Sequence, residues 1–278
     1  MRLVTPNATD FTNVTAGSAI ATLMIPQSQR RLVQLDLIYK LDGTRATQTE
    51  IETDIEYIEF KLLGNVQRKI YPEKLFLLEA LKGQTFSAGR IPIRFSQPER
   101  RSALGEDSTA LVLDEIGGVT INVKLAAQAT ARTLEARLVT EPIPNNAKRP
   151  QQEAIVTYTE KQVQLSGAGE KRDTYVTPSG RGISMVHAFS ADITAMRVML
   201  GELILWDFAD KETLDDLLVD NGYVPQDDVW SFGGELLTSR LADVLMTGNQ
   251  TLKFEFTIGA APGSSFDMLF EELGRAKV

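Results

Sequence analysis

The chain has 278 residues, of which 43% are hydrophobic and 24% charged, proportions that are ordinary for a globular protein long enough to hold two domains. Its formal net charge of −8 argues against a general nucleic-acid binder, because such proteins carry clustered Lys and Arg. The absence of cysteine excludes a disulfide scaffold, a thiolate metal site and a cysteine nucleophile.

The N-terminal residues predict a polar arm. Residues 1–17 are mostly polar and include Pro6 and Gly17, so we expect them to have little structure of their own. They lack the apolar core of a signal peptide, and no apolar run approaches the roughly 20 residues that cross a bilayer. We therefore expect a protein that is made and kept, or assembled, in the cytosol.

A first domain is predicted over residues 18–141. Its strands are short segments of alternating polarity with turn residues between them. They comprise residues 18–25, 32–39, 55–63, 91–95, 111–113, 119–125 and 133–139. The polar residues 43–52 are predicted to be a loop. Pro72 and Gly83 bracket a short helix, because proline lacks only a donor that the first turn leaves unused and glycine accepts the left-handed cap.

A proline-rich segment divides the chain. Residues 141–150 hold three prolines and two asparagines, which cannot continue a sheet. We therefore predict a linker over residues 142–152 and a second domain over residues 153–278.

The second half repeats the order of elements of the first. Equivalent landmarks are separated by nearly the same stretch of sequence, close to half the chain. They are the pairs Gly64 and Gly201, Gly83 and Gly222, and Val119 and Leu252. A near-constant offset over several elements indicates an internal duplication. The repeat predicts a second short helix, which Asp210 caps. It also favours a strand over a helix for residues 266–273, whose apolar pattern fits both.

The number and length of the strands determine the fold class. Each half holds seven or eight short strands and one short helix, which is typical of an antiparallel β-sandwich. Eight strands in two packed sheets form a jelly roll. We therefore predict an all-β protein of two tandem eight-stranded jelly-roll β-sandwiches, each with a short flanking helix.

Three local runs carry a resemblance to a known family. They are Ile91 to Glu99, Gly117 to Val123 and Thr177 to Ile183. Together with the two jelly rolls and the proline-rich linker, they resemble the double jelly-roll major capsid proteins of icosahedral viruses with an internal membrane. This is the PRD1–adenovirus-like lineage, and the likeness is to its corticovirus member PM2 in particular. The resemblance covers about residues 14–260, and the C-terminus departs from it most.

The resemblance implies a structural role without enzymatic activity. A homotrimer of pseudo-hexagonal outline is expected, because three chains present six similar barrels and such tiles close into a shell. The implied partners are neighbouring capsomers, vertex and membrane-associated virion proteins, and lipid head groups on the inner face, with no sequence-specific nucleic acid. The implied location is the virion, assembled in the host cytoplasm.

The single histidine, His187, is the first candidate for chemistry. It lies on a predicted strand and shares a face with Met185 and Phe189. A general base needs an activated nucleophile and an orienting acid, and the sequence shows neither beside it. We therefore predict a packing or hydrogen-bonding role, and no catalytic, cofactor-binding or metal residue is assigned.

Two sets of charged residues have both a functional and a structural interpretation. The acidic set could hold a structural Ca2+, but its spacing is not that of an EF-hand, so helix capping and solvation are favoured. It comprises Asp207, Asp210, Glu212, Asp215, Asp216 and Asp220. The basic pairs could touch lipid head groups or a neighbouring subunit, although solvated loop charge is favoured. They are Arg30-Arg31, Arg100-Arg101, Lys148-Arg149 and Lys171-Arg172.

Two other functions remain open from the sequence. A double jelly-roll hydrolase that cleaves amides or glycans would need a carboxylate-bearing cleft. A carbohydrate-binding pair of β-sandwiches would need exposed aromatic residues. Against the second, the two tryptophans, Trp206 and Trp230, stand among apolar strand residues and are predicted to be buried.

Overall fold

The computed structural model describes residues 3–5, 9–15, 17–97, 109–116, 118–128, 130–143, 154–234, 244–248, 250–260 and 262–276. The chain forms two compact units. The first contains Met1–Ala80, Gln84–Thr157 and Arg275–Val278, and the second contains Leu81–Gly83 and Tyr158–Gly274. Most of the predicted linker, from residue 144 onwards, lies outside the described residues.

The described part of the first half contains eleven strands, four of them only two residues long. They are β1 (Leu3–Val4), β2 (Thr9–Asp10), β3 (Ala19–Ile25), β4 (Arg30–Leu41), β5 (Thr44–Arg45), β6 (Ile55–Leu62), β7 (Asn65–Ile70), β8 (Arg90–Arg94), β9 (Leu111–Val112), β10 (Val119–Leu125) and β11 (Arg132–Pro142). The sequence predicts neither the two-residue strands β1, β2 and β5 nor β7.

Two antiparallel sheets form the first unit. A seven-stranded sheet is built around the β4–β11 pair, and a four-stranded sheet has the order β3-β10-β6-β7. Alternate residues of β10 are buried, as expected for a strand with one face on the core, and they include Ile121 and Val123. The core therefore lies between the two sheets.

Eight strands are described in the second half. They are β12 (Ile155–Gln164), β13 (Gly169–Tyr175), β14 (Arg181–Phe189), β15 (Ile193–Leu200), β16 (Leu203–Phe208), β17 (Val229–Phe232), β18 (Leu252–Ile258) and β19 (Ser265–Gly274). They form two four-stranded sheets, in the orders β12-β19-β14-β17 and β13-β18-β15-β16. A cluster of buried aromatic rings fills this unit, including Phe232, Phe254, Phe256 and Phe270. The strand predicted for residues 266–273 is confirmed as β19.

The internal repeat holds at the level of strand register. Hairpin β6–β7 pairs Ile58 with Ile70, and hairpin β15–β16 pairs Met196 with Phe208, which are the equivalent two positions of the second copy. Both hairpins shift register at the same place, after Phe60 in the first and after Val198 in the second. A shared bulge indicates that the two hairpins are structural copies.

Three helices are described. They are α1 (Gln48–Asp54), α2 (Pro72–Leu81) and α3 (Lys211–Asp220). The predictions of α2 and α3 are confirmed, and Asp210 caps α3 by accepting a 2.7 Å bond from the Thr213 amide. The prediction of a loop over residues 43–52 is wrong, because α1 begins there with a capping box that Thr47 and Glu50 form. None of the described helices is long and apolar enough to span a bilayer.

The segment predicted to be an arm is attached to the first sheet. Strands β1 and β2 both pair with β11, and Phe11 between β2 and β3 is buried. The buried guanidinium of Arg132 donates to the carbonyls of Thr15 and Gly17, each at 2.8 Å from one of its nitrogens. These bonds give the described N-terminal residues more structure than their polar composition predicts.

Candidate functional site

The only histidine lies in a buried polar cluster of three strands. His187 on β14 faces Ser231 on β17, and Nδ1 is 2.8 Å from the Ser231 Oγ. Its Nε2 is 3.5 Å from Oε1 of Glu271 on β19. All three side chains are buried, with relative exposures of 0% for His187 and Ser231 and 2% for Glu271.

A serine, an imidazole and a carboxylate are the parts of a hydrolytic triad. Here the Ser231 hydroxyl is fully buried, so no substrate could reach it without opening the sheet, and its bond to Nδ1 pairs two polar groups of the interior. Sequence reasoning missed both partners of His187, because they come from neighbouring strands that lie much further along the chain. Only the strand pairing brings them together.

A second buried cluster surrounds Glu272. Its carboxylate accepts bonds from the Tyr175 hydroxyl, from Thr159 Oγ1 at 3.3 Å and from an Arg181 nitrogen at 3.3 Å. The Tyr175 ring stacks on Phe270, with centroids 3.7 Å apart. Burial and the bond to Glu272 raise the pKa of Tyr175 well above its usual 10. The cluster therefore pairs the buried Glu272 carboxylate with the Arg181 guanidinium.

A third cluster lies in the first unit around Asp54. The carboxylate accepts bonds from the Tyr39 hydroxyl at 3.1 Å and from the Gln128 amide at 2.7 Å. Burial and then the charge of Asp54 raise the pKa of Tyr39 to about 12. The tyrosine therefore stays neutral at physiological pH and acts as a hydrogen-bond donor to the carboxylate.

Three members of the acidic set have structural partners. Asp210 caps α3, Lys211 pairs with Asp215 at 2.5 Å, and Asp207 pairs with Arg197 at 2.9 Å. Hydrogen bonds from Thr213 lower the pKa of Asp210. Within the described ranges, no group of three potential ligands is positioned to hold a metal ion.

Two of the four basic pairs lie in described residues, and in each of these two pairs one arginine has an acidic partner. Arg31 pairs with Glu141 at 3.3 Å, and Arg172 pairs with Glu255 at 2.9 Å. The pairs Arg100-Arg101 and Lys148-Arg149 lie outside the described residues.

Arg172 and Glu255 belong to a row of charges across one sheet. The register places Arg172, Glu255, Arg197 and Asp207 side by side on strands β13, β18, β15 and β16. Signs alternate along the row, so each residue faces an opposite charge on the next strand. In the equivalent hairpin of the first half the polarity is reversed, since Glu59 lies opposite Lys69.

The edge strand β16 carries two exposed apolar residues. Leu203 and Ile204 are 63% and 50% exposed. The prediction that both tryptophans are buried holds for Trp230 but is wrong for Trp206, which is only partly buried. Trp206 sits on this edge strand, where one side has no neighbouring strand in the described sheet.

Two sandwich units in one chain, each of two antiparallel sheets, define the double jelly-roll class of proteins, and the fold prediction is confirmed. Residues 6–141 match the family model of the viral coat protein P2 N-terminal domain, and residues 155–276 match that of the viral coat protein P2 C-terminal domain. The chain therefore belongs to the P2 family of viral coat proteins. It is a viral coat protein, and its location is the virion.

Solved structures show the same fold at low sequence identity. The major capsid protein P2 from bacteriophage PM2 is 16% identical, with 99% of this chain and 97% of that chain covered and a TM-score of 0.84. A chain of the PBCV-1 virus capsid is 9% identical, with 98% of this chain and 93% of that chain covered and a TM-score of 0.69. A chain of the Sulfolobus turreted icosahedral virus structure is 9% identical, with 99% of this chain and 90% of that chain covered and a TM-score of 0.68. No curated protein matches the chain.

Proposed function

We propose that this coat protein assembles as a homotrimer of pseudo-hexagonal outline, which tiles an icosahedral shell around an internal membrane. The observation that carries the proposal is the duplication of one sandwich within the chain, down to the register and bulge of a hairpin. Three chains then present six similar units around a three-fold axis. Such a trimer has a nearly six-fold outline and can fill a hexagonal lattice. A trimer of chains with one sandwich each would have only three-fold symmetry.

The contact that builds this trimer is heterologous. The first half of one chain meets the second half of the next, and a contact of this kind closes into a ring when the rotation allows it. Two similar units in each chain bring the rotation between neighbouring units close to one sixth of a full turn. The proposed boundaries are residues 18–141 and 153–278 for the two units, with the linker at residues 142–152.

The protein is proposed to act by assembly alone. Its one imidazole is buried with Ser231 and Glu271, so the hydrolytic alternative has no accessible general base of that type. The partly exposed Trp206 lies on a sheet edge among aliphatic residues, an arrangement that fits a protein contact better than a sugar platform. The further partners are neighbouring capsomers, vertex proteins and the membrane-associated proteins and lipids of the virion.

Native mass spectrometry of the purified protein tests the proposal. The expected result is a trimer at micromolar concentration, with sedimentation velocity giving the same stoichiometry in solution. A protein that remains monomeric under both conditions would contradict the trimeric capsomer.

A further inference from the structure

The two edge strands of the duplicated sandwiches differ in what covers them. Strand β7 ends its sheet in the first half, and β16 ends the equivalent sheet in the second. The register shifts of both hairpins coincide, so Val66 corresponds to Ile204 and Arg68 corresponds to Trp206. Residues 67 and 68 are buried, whereas residues 205 and 206 are only partly buried.

Two main-chain carbonyls accept hydrogen bonds from the Arg68 guanidinium on β7. Arg68 Nε donates to the carbonyl of Val156 at 2.6 Å, and Nη1 donates to the carbonyl of Arg94. The guanidinium also lies over the ring of Phe95, 5.2 Å from its centroid. The start of β12, where Val156 lies, is therefore in contact with the Arg68 side chain of β7.

On β16 the corresponding side chain is apolar. Trp206 lies beside Phe232, with ring centroids 5.8 Å apart. Its neighbours Leu203 and Ile204 are largely exposed. An edge strand also carries main-chain groups that its own sheet does not use. This edge therefore has the composition of an interface core, with an aromatic anchor flanked by aliphatic residues.

The fold indicates which segment would cover that edge. Strand β12 lies beside β19 in one half, and β1 lies beside β11 in the other. Strands β11 and β19 are counterparts, since they pair with β4 and β14 respectively. The N-terminal strand β1 is therefore the counterpart of β12, and its Val4 is 58% exposed.

We propose that the β16 edge, through Leu203, Ile204 and Trp206, is a docking surface for the N-terminal strand β1 of a second copy of this chain. The contact would repeat between chains the approach that the start of β12 makes to β7 within the chain. The inference rests on the proposed trimer and names the segments that join neighbouring subunits in it.

Disulfide trapping tests the contact directly, because the natural chain has no cysteine. A Val4→Cys, Ile204→Cys double variant is oxidised and run on a non-reducing denaturing gel. The expected products are covalent dimers and closed trimers that a reductant removes, since disulfides form only where Cα atoms approach within about 7 Å. The matched control is Val4→Cys, Val66→Cys, which puts the second thiol at the equivalent position of the first half.

Charge substitution gives an independent measurement. Ile204→Glu should raise the trimer dissociation constant more than about tenfold, whereas Val66→Glu should leave it within about twofold. Circular dichroism verifies that both variants stay folded, and the cysteine pairs cover the case in which Ile204→Glu does not fold. A trimeric wild type with no cross-link through residue 204, or with equal effects of the two glutamates, overturns the docking surface and leaves the trimer standing. A monomeric wild type overturns both.

Discussion

At the scale of single residues, several buried polar side chains of this protein lie together in small clusters. His187, Ser231 and Glu271 come from three neighbouring strands, and the imidazole lies within reach of both other side chains. Burial of such groups costs stability unless they find partners. The clusters therefore constrain which strands can lie side by side, in addition to the apolar core.

The first prediction concerns His187. Replacement by Gln keeps a polar side chain of similar reach, so His187→Gln should lower the free energy of unfolding by only about 1 kcal/mol. Trimer formation should persist. Urea denaturation measures the first effect and native mass spectrometry the second, with Ser231→Ala as a control that removes the other side of the same bond. Loss of the trimer in a variant that remains folded would contradict a purely structural role.

The second prediction concerns the pH dependence of stability through Tyr39. Its pKa is raised to about 12 in the folded protein, while a tyrosine in the unfolded chain titrates near 10. The stability that it contributes is fully present below pH 10 and is lost as the pH rises towards 12, because the unfolded state releases its proton first.

Tyr39→Phe should therefore be less stable than the natural protein at pH 8, by about 1 kcal/mol for the lost hydrogen bond. The difference should shrink between pH 10 and pH 12. Urea denaturation at a series of pH values measures it. A difference that stays constant or grows over that range would contradict the assignment.

At the scale of elements, strands β10 and β7 show how far local polarity can be read. Strand β10 reads apolar and polar in turn, and its prediction is confirmed. Strand β7 was missed because Gln67 and Arg68 interrupt the apolar pattern, although both are buried. Arg68 is accommodated by distant main-chain carbonyls, which no local pattern reveals.

Helix α1 had a readable signal that the polar composition obscured. Thr47 and Glu50 have the spacing of a capping box, and the structure contains both of its hydrogen bonds. The Ser231 and Glu271 partners of His187 had no such signal. Their positions depend on how strands far apart in the chain pair, so sequence reasoning reached the class of the fold but not its polar clusters.

The third prediction compares two glycines in the left-handed region. Gly89 has φ +68°, and a Cβ there would lie 2.6 Å from the Tyr39 carbonyl oxygen on β4. Gly43 has φ +78°, with open space around the same position. Gly43→Ala should lower the free energy of unfolding by about 1–2 kcal/mol, because alanine is strained in the left-handed backbone conformation.

Gly89→Ala should lower the free energy of unfolding by a further ~1–3 kcal/mol, because the β4 backbone must shift to accept the methyl group. Thermal and urea denaturation of the two variants measure the difference. Equal destabilisation would show that the close approach of residue 89 to β4 is not maintained in solution.

At the scale of the whole molecule, the chain is a duplicated sandwich whose copies have diverged on their surfaces. The sheet orders β3-β10-β6-β7 and β13-β18-β15-β16 are the same, while the exposed side chains on their edges differ. The sequence offsets predicted this duplication, because spacing between elements persists when residue identity does not.

The fourth prediction concerns the boundary between the copies. Limited proteolysis should cut first within residues 142–152, because prolines and polar residues there favour an exposed connection. Trypsin has Lys148 as its target in this stretch, because the bond between Arg149 and Pro150 resists the protease. Mass spectrometry of an early time point should give two fragments of about half the chain each. An earlier cut inside either predicted unit would contradict the proposed boundaries.

The reversed polarity of the two hairpins has a consequence for the accuracy of assembly. In a ring of six similar units built from three chains, each position could be filled by either the first or the second unit of a chain. A subunit could therefore enter the ring shifted by one unit. A shifted subunit would present the Glu59 and Lys69 pair where the Arg197 and Asp207 pair belongs. It would also present the Arg68 guanidinium where the Trp206 ring belongs. In the proposed trimer, the differences between the two copies would thus favour the correct placement of a subunit over a placement shifted by one unit.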